Sequence, residues 1–86
     1  MGKDDKIISE IFNVAGKYIL EGGEIPRMAG DAEQIKAIRR ATLASRRLYE
    51  ALCSETTTLD AVTTMMEEKS RAAAEFKRLL GRDWRF

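Results

Sequence analysis

Residues 35–52 read IKAIRRATLASRRLYEAL, and this stretch decides the fold because its apolar and charged residues recur at helical spacing. When residues are placed at 100° intervals, an apolar sector about 200° wide occupies one side of this helix. Such a wide sector predicts contact with more than one neighbouring helix. Its members are Ile38, Ala41, Ser45, Leu48, Tyr49 and Leu52, with Ile35 at the edge.

The same stretch gathers five cations and no acid between Ile35 and Tyr49, although the net charge of the chain is only +1. These cations share a sector of about 120° on the side away from the apolar residues. Like charges three or four residues apart repel by a few tenths of a kcal/mol, so an acidic partner is expected to compensate them. The predicted polyanion-binding residues are Lys36, Arg39, Arg40, Arg46 and Arg47.

Apolar spacing and punctuation predict three helices, over about residues 5–21, 32–54 and 58–80. Asp31 is placed to cap the second helix, and Gly81 to end the third. Between the first two helices, GGEIPRMAG predicts a loop. A β-hairpin through KYILEGGEIP is the competing interpretation, because Gly-Gly between apolar residues is typical of a turn.

These elements predict an all-α protein, a three-helix up-down-up bundle built on a long helical hairpin. The chain forms one domain over residues 1–86, with 82–86 as a short aromatic-basic C-terminal tail. At 86 residues, with 11 alanines among its hydrophobic residues, it has few large side chains for a core. Self-association into a homo-oligomer is therefore expected.

Four further side chains are candidates for an interface, namely Leu43, Lys69, Trp84 and Phe86. Leu43 lies among the cations, either as an isolated exposed leucine or as an anchor with a charged rim. Lys69 falls in the apolar stripe of the third helix, where its stem packs while the amine reaches water or a carboxylate, or where it specifies oligomer register. Trp84 either folds back over the end of the bundle or stays free in a docking peptide.

The overall charge does not favour one class of partner, because the chain has 15 basic and 14 acidic residues. Local clustering alone would attract a polyanion. Cys53 has no second cysteine to pair with, which fits a reducing, cytoplasmic location. The sequence contains neither a secretory signal nor an apolar run long enough to cross a bilayer, so no membrane partner is expected.

Catalysis is not indicated. The chain has no histidine, the commonest general base and transition-metal ligand. One cysteine cannot build a thiolate zinc site, and it would lack an imidazole partner as a nucleophile. We therefore expect a non-enzymatic protein with no cofactor and no metal.

Three interpretations of the basic face follow. The first is contact with nucleic-acid backbone, without base specificity because no base-reading motif is present. The second is a protein-protein adaptor, inhibitor or structural assembly subunit, whose arginines meet an acidic protein partner. In the third, the chain neutralises the face internally through the acids of the second and third helices, Glu33, Glu50, Glu67, Glu68 and Glu75.

Overall fold

The computed structural model describes residues 3–23 and 31–86, with side chains from residue 8 onward within those ranges. Three helices account for most of them: α1 (Lys3–Glu21), α2 (Ala32–Cys53) and α3 (Leu59–Leu80). These described ranges contain no strand. The all-α prediction is confirmed, and the hairpin alternative is wrong for residues 17–21, which are helical; its residues 24–26 lie outside the described ranges.

The helix ends follow the local chemistry of the sequence. Asp31 accepts a hydrogen bond from the Glu33 amide at 2.8 Å and caps α2, as predicted. Thr58 caps α3 in the same way. Gly81 ends α3 with φ of 71°, a left-handed conformation that glycine adopts without strain, and its amide donates to the Lys77 carbonyl at 2.8 Å. The observed bounds agree with the predicted ones to within about two residues.

Helices α2 and α3 form an antiparallel hairpin whose seam is lined by small residues. Ala41 and Ala44 of α2 cluster with Ala72 of α3, and all three are buried. Further toward the turn, Arg47 lies opposite Glu68. Alanines let two helix backbones approach closely, so this seam leaves little room for large core side chains. The larger part of the apolar core lies on one face of the hairpin.

That core is an aromatic cluster shared by α1, α3 and the C-terminal tail. The ring of Phe76 lies 5.7 Å from Phe12 and 5.0 Å from Trp84, measured between ring centroids. Phe86 completes the cluster, 6.0 Å from Phe12 and 5.6 Å from Trp84. The tail therefore folds back against the helices, the first of the two alternatives for Trp84.

The direction of α1 follows from contacts at two levels, and the predicted up-down-up order is not confirmed. Phe12 packs in one cluster with Ile38 of α2 and Phe76 of α3. Seven residues later, the Ile19 carbonyl accepts a hydrogen bond from Arg46 of α2, eight residues beyond Ile38. Because the contacts advance together along both helices, α1 runs in the same direction as α2.

The prediction was wrong on this point because it assumed that each short connection reverses the chain. Ten residues separate α1 from α2. An extended segment of that length reaches about 33 Å. The rise of α2 up to the level of Arg46 is about 21 Å, so the connection is long enough to return the chain to the starting end.

None of the described helices is both long enough and apolar enough to cross a membrane.

Candidate polyanion-binding groove

The face of the hairpin opposite α1 carries a groove of about 740 Å³ between α2 and α3. We call it the basic groove. Residues of α2 that point into it are about 180° around the helix from those that face α1. Its lining consists of Lys36, Arg39, Arg40, Leu43, Ala44 and Arg47 from α2, and Glu68, Arg71, Ala72 and Glu75 from α3.

Cations outnumber acids in this lining by five to two, which leaves a formal charge of +3. One of the two acids is already engaged. Arg78 donates two hydrogen bonds to Glu75, at 3.1 and 2.5 Å, and this guanidinium lowers the pKa of the Glu75 carboxyl below its usual value. The charge of Arg40 lowers the same pKa further. Because Arg78 already binds the Glu75 carboxylate, Glu75 neutralises little of the positive charge of the basic groove.

The other acid, Glu68, has only a loose contact. Its carboxylate lies 3.9 Å from Arg47, and both side chains are largely exposed, at 47% and 65%. Exposed pairs of this kind contribute from zero to about 1 kcal/mol. The acids of α3 therefore neutralise the charge of Arg47 only weakly. Glu67, the third acid predicted on α3, does not line the groove.

The other four cations of the basic groove are all exposed, and they form no ion pair with an acid in the part of the chain that the structure describes. They are Lys36, Arg39, Arg40 and Arg71. Their hydrogen-bond donors therefore face solvent. A guanidinium presents five donors in a planar fork, which matches the oxygens of a phosphate or a carboxylate.

Arg46 does not belong to the basic groove, so the predicted set of five cations is divided. Its Nη1 donates to the carbonyl of Ile19 near the end of α1, and its Nε lies 2.6 Å from Glu50. The guanidinium also lies over the Tyr49 ring, 5.6 Å from the centroid. The last carbonyls of a helix lack intrahelical donors, and an arginine beside them supplies one. Arg46 thus attaches α1 to α2.

The fifth cation of the basic groove is Arg71, which the sequence analysis did not predict. It lies on α3, three residues after Glu68 and four before Glu75, so all three share one helix face. The spacing alone indicates a mixed-charge surface. Only the pairing of α2 with α3 brings Arg71 beside the cations of α2.

The floor of the basic groove is apolar. Leu43 is 37% exposed and lies among the cations, with Ala44 and Ala72 beside it. A ligand in the groove would therefore contact aliphatic carbon below and positive charge on both walls.

The other three interface candidates lie on the opposite face of the hairpin. Lys69 is half-buried and lines a cavity of about 320 Å³ with Trp84 and Phe86. It forms no ion pair with a described acid. Trp84 donates from Nε1 to the Ser45 hydroxyl at 2.8 Å, and Arg85 covers the Phe12 ring at 5.0 Å from the centroid.

Among the described side chains, those of residues 8–23 and 31–86, no group of three acidic or cysteine side chains is arranged to hold a metal ion. Cys53 is exposed at the end of α2. No protein-family model, no curated protein and no solved structure matches this chain.

Proposed function

We propose that this protein is a non-enzymatic, self-associating module that binds a polyanion in the basic groove, and that the polyanion is the backbone of a nucleic acid. The observation that carries the proposal is the convergence of five cations from two helices on one groove that contains only two acids. One of these acids, Glu75, is bound by Arg78, and the other, Glu68, has only a loose contact with Arg47. The single, exposed Cys53 is consistent with action in the cytoplasm.

The length of the basic groove supports a phosphate backbone as ligand. From Lys36 to Arg47, α2 advances eleven residues, or about 16 Å at 1.5 Å per residue. Duplex DNA carries one phosphate charge per about 1.7 Å of its axis, so a duplex lying along this length presents several phosphates to the groove.

The residue types of the groove favour backbone contact over base recognition. Its lining contains no aromatic side chain on which a base would stack. It also contains no asparagine or glutamine for paired contacts to adenine. Arginine and lysine read guanine where they enter the major groove of DNA, but a groove between two helices receives a strand instead, so here they contact phosphates and sugars, which position the strand without reading its sequence.

The test is a titration of labelled duplex and single-stranded oligonucleotides across a range of salt concentrations. With five phosphates neutralised, the slope of log affinity against log salt is about −4.5 for duplex DNA, so affinity falls about 500-fold from about 50 to about 200 mM salt. In Arg39→Gln/Arg40→Gln the slope drops to about −2.7 and the loss to about 40-fold.

A charge-matched control removes two cations outside the groove, in Lys17→Gln/Lys77→Gln. Lys17 is exposed on α1, and Lys77 forms an exposed ion pair with Asp83 at 3.1 Å. This variant keeps the steep slope of the wild type. Negligible binding at low salt, or equal slopes in both double variants, contradicts the proposal.

A second candidate is supported by the apolar floor. Leu43, Ala44 and Ala72 would accept the apolar side of an acidic amphipathic helix while the arginines meet its carboxylates. Leu43→Ser separates the two candidates. It weakens a helix ligand, which needs the leucine as an anchor, but leaves the salt slope for oligonucleotides unchanged.

A further inference from the structure

We infer that two copies of this chain associate through the part of the hairpin that α1 and the tail leave uncovered, packed against each other with their turns pointing in opposite directions. We call this surface the distal patch and define it by the exposed side chains of Tyr49, Leu52, Leu59 and Met66. The inference gives a location and a geometry to the self-association in the proposed function, on which it rests.

The burial of α2 changes along the row of residues that faces α1. Ile38, Thr42 and Ser45 are buried, at 3%, 0% and 5% exposure. Tyr49 and Leu52 continue the same row at intervals of three and four residues, yet they are 38% and 66% exposed. The two residues of this row that lie beyond α1 are thus both exposed and largely apolar.

A matching change runs along α3 in the reverse direction. Phe76 is fully buried and Ala73 is half-buried. The row then continues through Lys69 to Met66 and Leu59, which are 54% and 80% exposed. Since α2 and α3 are antiparallel, both rows become exposed at the same end, beside the turn.

Charge favours a second copy over an unrelated apolar partner. Lys69 borders the distal patch, is half-buried, and forms no ion pair within the described residues. Glu55 is exposed in the turn at the far end of the same patch, and it too forms no such pair. In an antiparallel pair, the turn of each copy lies over the end of the partner's distal patch that Lys69 borders. Each Glu55 therefore meets the partner's Lys69. The arrangement repeats itself under a two-fold axis and therefore closes at a dimer.

This geometry has a consequence for binding. The basic groove lies on the opposite face of the hairpin from the distal patch. A dimer closed on the patch therefore presents its two basic grooves outward, on opposite sides. Such a particle can hold two segments of polyanion at once, which raises affinity through avidity without adding contacts.

The experiment measures mass in solution by light scattering and sedimentation from about 1 to about 500 μM protein, the range in which a micromolar dimer dissociates. The wild type changes from 9.7 kDa at low concentration toward twice that mass. Leu52→Ser/Met66→Ser raises the dissociation constant by about 100-fold or more, because each dimer loses four apolar contacts. Leu20→Ser is the control, since Leu20 is 64% exposed on α1 outside the patch.

Charge exchange tests the predicted orientation. Glu55→Lys or Lys69→Glu alone weakens the dimer about fivefold, and Glu55→Lys/Lys69→Glu together restore it. Circular dichroism confirms that each variant remains helical. A wild type that stays monomeric at every concentration, a dimer unaffected by the serine variant, or a double exchange weaker than either single variant overturns the inference. Arg39→Gln/Arg40→Gln keeps the dimer, so loss of polyanion binding is measured separately.

Discussion

Replacing Trp84 by alanine tests whether the C-terminal tail belongs to the core. The indole lies 5.0 to 5.6 Å from three aromatic rings and donates to the Ser45 hydroxyl. Aromatic pairs contribute about 0.5–1.5 kcal/mol each beyond burial, and truncating a buried tryptophan costs about 3–5 kcal/mol. For this half-buried residue we expect a loss of about 3 kcal/mol in the free energy of unfolding.

That loss is a large share of the total free energy of unfolding expected for this chain. At about 0.05–0.15 kcal/mol per residue, 86 residues give a stability of about 4–13 kcal/mol. The melting temperature of Trp84→Ala should fall by about 12–24 °C, at about 4–8 °C per kcal/mol for a domain of this size.

Urea unfolding followed by far-UV circular dichroism is the appropriate assay, because Trp84 is the only tryptophan and its fluorescence is lost with it. All variants are compared at one protein concentration, since association shifts apparent stability. Trp84→Phe is the matched control. It keeps an aromatic ring, loses the hydrogen bond to Ser45, and should cost about 1 kcal/mol. A loss below about 1 kcal/mol in Trp84→Ala would show that the tail is not part of the core, because a tail outside the core contributes no more than a surface residue.

Three further outcomes follow from the contacts. Arg46→Gln should destabilise the fold by about 1–2 kcal/mol through loss of the bond to Ile19, while the salt slope of polyanion binding stays at the wild-type value. Gly81→Ala should cost about 1 kcal/mol in urea unfolding, because φ of 71° strains a residue with a side chain. The pKa of Glu75 is lowered by Arg78, so its stabilisation is present above pH 4.5 and is lost as the pH falls through the lowered pKa. In Glu75→Gln, the urea midpoint should therefore change less with pH below 4.5 than it does in the wild type. An identical pH dependence in the two proteins would show that the Glu75–Arg78 pair does not contribute to folding stability.

The helices and their ends could be predicted from the sequence because the signals are local. Asp31 and Gly81 act within one turn of their own position, as a side-chain acceptor and as a left-handed residue. The apolar period of residues 35–52 likewise requires no knowledge of neighbours. These features depend on chemistry that a few consecutive residues contain.

The composition of the site could be predicted only in part because it depends on how helices pair. On a helical wheel Arg46 belongs with Arg39, but the end of α1 provides it with a carbonyl acceptor. Arg71 is separated from Arg47 by 24 positions in sequence, and only the hairpin makes both line one groove. The direction of α1 was mispredicted for the same reason, since a connection of ten residues permits either direction.

The proposed binding in the basic groove depends most on the division of the arginines between this groove and the rest of the chain. The direct measurement is an NMR titration of the arginine Nε–Hε resonances with a short oligonucleotide at low salt. We predict that shifts are confined to the arginines of the groove, while Arg46 and Arg78, whose Nε groups already contact Glu50 and Glu75, keep their positions. Shifts spread evenly over all arginines, or largest at Arg46, would contradict it. The resonances predicted to move are those of Arg39, Arg40, Arg47 and Arg71.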